Sequence, residues 1–127
     1  MDKGVVKRVI VTPDKHFPLH DQPAINCLKQ TIEIVKPDAY IDLGDVGEWH
    51  AFSGMDQIDE SLDKACCKEK HITEGNHDNW LNMAVEKYPY ISQYRFANAV
   101  DLNGRGYKYH PFGKHLKMGK LYFYHGH

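Results

Sequence analysis

The sequence predicts a layered α/β domain, a β-sheet with flanking helices. Short β-branched or aromatic runs alternate with stretches of helical apolar spacing, and 127 residues supply one core but not two. The apolar runs end in Gly, Pro, Asp, Asn or His, the composition of loops, so several polar motifs fall along one edge of the sheet. A single domain over residues 1–127 is the expectation, long enough to bury about two thirds of its unfolded surface.

Taken in order, Lys7 to Thr12 (KRVIVT) reads as a buried strand stopped by Pro13, and PDKHFPLHD as a loop that puts Asp14-Lys15-His16 at the strand's C-terminal end. Asp21 can cap a helix with Pro23 in its first turn. Ile25, Leu28, Ile32 and Val35 then recur at helical spacing until Pro37. Ala39 to Leu43 (AYIDL) makes a second strand delivering Gly44-Asp45, and Gln57 to Lys70 reads as a charged helix covering the sheet. Lys70 to Thr73 (KHIT) makes a third strand delivering Gly75-Asn76-His77-Asp78, and Asn79 to Lys87 a helix closed by Pro89. Beyond these, Gly104-Arg105-Gly106 resembles a turn and Tyr107 to His110 a short strand. Leu121 to Tyr124 (LYFY) is a strand whose end presents His125-Gly126. Tyr122, Phe123 and Tyr124 are expected to pack into core and sheet rather than to form a base-stacking platform.

Composition narrows the function classes. With 42% hydrophobic and 26% charged residues the chain is that of a globular protein, and no apolar run approaches the roughly 20 residues a membrane span needs. The N-terminus lacks an apolar signal core, which predicts a cytoplasmic protein. Cys27, Cys66 and Cys67 form an odd set without CxxC spacing, so reduced thiols are expected rather than a disulfide framework or a structural zinc site. The net charge of -1 gives no global pull on nucleic acid. From Gly104 to His127, however, Arg105, Lys108, Lys114, Lys117 and Lys120 stand without one carboxylate. That stretch is either a solvated surface ribbon or a lane guiding a phosphate-bearing substrate.

The polar motifs supply the oxygen and nitrogen donors that two neighbouring divalent metals require. Water is a poor nucleophile at neutral pH, and a metal pair overcomes this by acidifying a bound water and clamping the ester oxygens. A pair needs one ligand that touches both ions, and only a carboxylate does so while cancelling part of their repulsion, which makes Asp45 the candidate bridge. Asp14 and His16, two residues apart on a segment read as extended, project to one side and are expected to hold the first ion. Asn76 and His125 offer an amide oxygen and an imidazole nitrogen to the second. This mixed donor set suits manganese, iron or zinc better than calcium, with manganese preferred.

In that order, Asp14-Lys15-His16, Gly44-Asp45, Gly75-Asn76-His77-Asp78 and His125-Gly126 after an aromatic strand resemble the motifs of the calcineurin-like phosphoesterases, from about Val9 to the end of the chain. The resemblance implies the α/β/β/α metallophosphoesterase fold. It assigns Asp14 and His16 to one metal, Asp45 to the bridge, and Asn76 and His125 to the other metal. It makes His77 the acid that protonates the leaving oxygen, with Asn76 and His77 also touching substrate, and Glu48 the carboxylate that orients His77. It further implies a later GHxH motif, which the sequence up to His127 lacks. The chain is accordingly expected to be a fragment of a longer domain, short of one or two ligands, with weakened metal binding and an exposed sheet edge prone to pairing.

Two functions follow as expectations. The first is metal-dependent hydrolysis of a phosphate ester, monoester or diester, with nucleic acid as a possible substrate. The second is a non-catalytic module that binds metal or phosphate. Of the remaining histidines, His71, His110 and His115 are expected at the surface or partly buried, and His20 and His50 near the substrate because they flank the first two motifs.

Overall fold

A computed structural model describes residues 8–17, 19–47, 67–99 and 101–126. Strand β1 (Val9–Thr12) leads to helix α1 (Gln22–Val35) and strand β2 (Ala39–Asp42). Strand β3 (Glu69–Thr73) is followed by helix α2 (Asn76–Lys87), a 3-10 stretch (Pro89–Tyr94), the one-turn helix α3 (Phe96–Ala99) and strand β4 (Tyr107–His110). A hairpin of β5 (Leu116–Met118) and β6 (Leu121–Phe123) comes last.

The first four strands form one parallel sheet in the order β1-β2-β3-β4. All four residues of β2 are buried, as a central parallel strand requires, and this explains its short apolar run without alternation. Tyr40, Ile72 and Tyr107 lie on the sheet face that meets the helices. There they join Ile25 and Ile32 of α1, Leu81 of α2 and Phe96 of α3 in one core cluster. Asp21 caps α1 by accepting the Ala24 N–H, and Lys36 ends it in the left-handed conformation. The layered α/β expectation therefore holds.

Several boundaries differ from the sequence reading. The charged helix expected over 57–70 falls outside the described residues as far as 66, and Glu69 and Lys70 belong to β3 instead. Helix α2 starts at Asn76 rather than Asn79, because Asp78 accepts the Gly75 N–H and nucleates the turn three residues early. The LYFY segment pairs antiparallel with β5 in a separate small sheet, so only three of the four motifs follow parallel strands. Tyr122 and Tyr124 are 57% and 59% exposed, which overturns their expected place in the core.

On the sheet face away from Tyr40, His71 and His110 stack with ring centroids 5.3 Å apart. His71 Nε2–H donates to Glu69 Oε1 at 3.0 Å, leaving Nδ1 to accept from His110 Nε2 at 3.1 Å. Burial first, and then His71 and Lys108, hold His110 below its ordinary value of 6.5. The neutral ring thus contributes stability that is present above 6.5 and lost as pH falls through the lower folded value. Melting followed from pH 7 down to about pH 5 should show less acid destabilisation in His110→Gln than in the parent; equal slopes would refute this account.

Candidate metal centre

Three loops leave the C-terminal ends of β1, β2 and β3 side by side. The loop after β1 is laced to the loop after β2 by Asp14 N–H to Gly44 O (3.0 Å), His16 N–H to Asp45 O (3.0 Å) and Phe17 N–H to Val46 O (2.8 Å). These contacts hold Asp14, His16 and Asp45 at φ of 52°, 53° and 53°, the left-handed region that residues with a Cβ seldom adopt. Asp14 and His16 are therefore not on an extended segment, and their convergence comes from this curled backbone.

Lys15 points the opposite way. Its ammonium lies 3.1 Å from Asp42 Oδ2, with both side chains more than nine-tenths buried, and 5.2 Å from the centre of the Tyr40 ring. Burial lowers the lysine's pKa, but Asp42 and Tyr40 outweigh it and the net shift is upward. Burial likewise pushes the Tyr40 hydroxyl up to about 12. A charged pair beneath the loop thus anchors the two residues on either side of Lys15.

The loop after β3 crosses the loop after β2 almost in contact. A Cβ on Gly44 would fall 2.3 Å from Gly75 N, and one on Gly75 would fall 2.5 Å from Asp45 N, so neither position accommodates another residue. Asp78, fully buried, locks the crossing: Oδ2 accepts Asp45 N–H (2.7 Å) and Gly75 N–H (3.0 Å), and Oδ1 accepts Val46 N–H (3.1 Å). Nearby, the buried Glu74 carboxylate accepts from Asn82 Nδ2 (2.6 Å) and from the Tyr109 hydroxyl. Asn82 Oδ1 in turn accepts Phe96 N–H (3.0 Å), which fastens α2 to β4 and α3.

The Asp45 carboxylate divides its two oxygens. Oδ1 accepts the His77 N–H at the start of α2 (2.9 Å), while Oδ2 faces His125 Nε2 at 3.4 Å and His16 Nε2 at 3.8 Å. His125 Nδ1–H donates to Leu43 O at 2.9 Å, so in the neutral ring Nε2 presents a lone pair. That lone pair faces oxygens of Asn76 (3.0 Å), Asp45 and Asp14 (4.0 Å). Four acceptors pointed at one spot repel one another unless a proton or a cation stands among them, and this donor set fits a divalent ion.

Among the described residues two sets of donor atoms gather, each with its atoms within 4.8 Å of one another: His16, Asp45 and His77, and Asp14, Asp45 and His125. Asp45 belongs to both. Asp14 and His16, expected to share an ion, approach to 3.7 Å and also remain within reach of a common one. Asp14 is half-exposed whereas Asp45 is buried, so the site opens on the Asp14 side. The His77 ring stacks on Trp80 (4.1 Å between centroids, 18° between planes) and meets His16 edge-on at 5.0 Å. His20 packs against Phe17 instead, at 4.3 Å. Glu48 and His50 lie outside the described residues.

Sequence reasoning missed Lys15, Asp42, Asp78 and Trp80 as supports of the site. Asp78 was legible in part, since a carboxylate at the third position of a helix is a capping signature. The inward turn of Lys15 has no sequence signal.

A family model described as calcineurin-like phosphoesterase matches residues 7–127. Comparisons with curated proteins and with solved structures returned no match. Among the described residues no helix is long and apolar enough to cross a membrane.

Replacing Asp78 by Asn would place an amide donor against backbone N–H groups that now meet a carboxylate. Asp78→Asn should lose about 2–4 kcal/mol in urea unfolding, and a loss below about 0.5 kcal/mol would show that the crossing does not depend on this carboxylate.

Proposed function

The chain belongs to the calcineurin-like phosphoesterase family, and from that premise we propose that it hydrolyses a phosphate ester, a phosphodiester in preference to a monoester, with a pair of divalent ions. Membership by itself implies metal-dependent phosphate-ester hydrolysis in general. The observation that carries the finer reading is the Asp45 carboxylate, one group common to two sets of donors. It supports Asp45 as the bridge, whereas the sharing of the other ligands between the ions follows the family's motif order, since the sets themselves place Asp14 with His125 and His16 with His77. The basic, carboxylate-free stretch from Gly104 to His127 supports a diester, whose neighbouring phosphates it would attract.

In this reading Asp45 bridges, Asp14 and His16 hold one ion, and Asn76 and His125 hold the other. The ions, when bound, supply Lewis-acid polarisation of the phosphoryl oxygens and a water acidic enough to attack at neutral pH. Manganese is the preferred ion for this mixture of carboxylate, amide and imidazole donors. His77 donates a proton to the departing oxygen, its ring braced by Trp80 and its backbone tied to Asp45. Asn76 and His77, in the first turn of α2, also touch the substrate, where the helix N-terminus favours a phosphate. Glu48 is assigned the orientation of His77 on the family's motif alone.

The test pairs a binding readout with a turnover readout. Manganese should raise the melting temperature of the parent and of His77→Asn but not of Asp45→Asn. Manganese-dependent hydrolysis of bis(4-nitrophenyl) phosphate should fall by about 10²-fold or more in His77→Asn and vanish in Asp45→Asn. A melting shift in the parent without any turnover would sink the hydrolase reading in favour of a metal-binding module.

A further inference from the structure

The hairpin of β5 and β6 has a face that the metal centre does not use. Register pairs Lys117 with Tyr122 directly across the two strands, and the Lys117 ammonium lies 5.6 Å from the Tyr122 ring centre. The His115 ring meets Tyr122 edge-on at 5.6 Å and Tyr124 at 5.8 Å, so both tyrosines share one side of the hairpin with His115. The opposite side carries Leu116, buried, paired with Phe123, half-buried. The aromatic face is therefore outward by construction, with Lys114 and Lys120 at either end of the hairpin. Tyr124 is joined directly to His125, whose Nε2 stands 3.4 Å from Asp45, so the face ends one residue along the chain from the donor cluster.

We propose that the His115, Lys117, Tyr122 and Tyr124 face of the hairpin binds single-stranded nucleic acid and leads it to the metal centre. Exposed aromatic rings interleaved with cations, and no carboxylate nearby in sequence, match a chain of bases and phosphates: rings stack on bases and lysines meet phosphates. Tyr122 lies in β6 and Tyr124 one residue past its end, and two residues of extended chain span about 6.7 Å. That is about twice the 3.4 Å rise per nucleotide along a duplex strand, so the pair suits bases drawn apart rather than stacked in a double helix. The proposal rests on the phosphodiesterase reading only for the fate of the bound strand; binding itself needs no metal.

Fluorescence anisotropy of a labelled oligothymidylate of about 20 nucleotides, measured with the full chain in EDTA, tests this independently of hydrolysis. The parent should bind it more tightly than a duplex of equal length. Tyr122→Ala should weaken binding roughly fivefold or more, and Tyr122→Phe, which keeps the ring, should retain parent affinity. Lys117→Gln should make the logarithmic salt dependence shallower by about 0.7. Melting curves confirm that each variant is folded; the Phe and Gln variants keep the test decisive if the Ala variant is not. Failure to bind oligothymidylate, equal affinity for duplex, an unchanged affinity in folded Tyr122→Ala, or binding of anionic vesicles in place of the oligonucleotide would each overturn the proposal. Loss of turnover on the small chromogenic diester with oligothymidylate binding intact would overturn only the hydrolase reading.

Discussion

The Asp78 carboxylate is the interaction on which the candidate metal centre depends. It is fully buried, and three backbone N–H groups from two different loops converge on it. A buried carboxylate without such partners is costly, so the first turn of α2 and the arrival of the Gly44–Val46 loop stabilise each other. The same turn aims the His77 N–H at Asp45 Oδ1 and thereby leaves Oδ2 facing the imidazoles. The helix cap and the carboxylate shared by the two donor sets are one structural unit.

The loops around that unit are held in conformations they would not choose alone. Asp14, His16 and Asp45 all sit at positive φ, at roughly 1–2 kcal/mol each for residues with a Cβ. Hydrogen bonds between the loops oppose this strain, and so does the buried Lys15–Asp42 pair beneath them. Gly44 and Gly75 remove the two side chains that would keep the loops apart. Strain, glycine and buried charge thus collect at the one end of the sheet where the donors meet, as in many sites whose geometry must be set before a ligand arrives.

The hairpin contributes to this centre from outside the parallel sheet. His125 reaches over the end of β2, and its Nδ1–H bond to Leu43 O orients the ring. The aromatic and basic residues just before it remain at the surface. One short segment therefore supplies both a donor to the cluster and an exposed approach to it.

Much of this was legible in the sequence. Short apolar runs and helical spacing after Asp21 determined the α/β class and helix α1, because periodicity and turn chemistry are local properties, and the order of the four motifs carried the resemblance to the family. The strand-end placement of Asp14, Asp45 and Asn76 followed from the same local reading. What only the tertiary structure decided was everything set by contact between segments distant in sequence. The early start of α2 depends on a carboxylate shared with another loop, and the left-handed backbone of Asp14 and His16 depends on hydrogen bonds to residues about thirty positions away. Whether Tyr122 and Tyr124 face core or solvent depends on which strand β6 joins: an aromatic run has the same pattern in either sheet, and among the described residues β6 pairs with β5, which leaves Tyr122 and Tyr124 exposed.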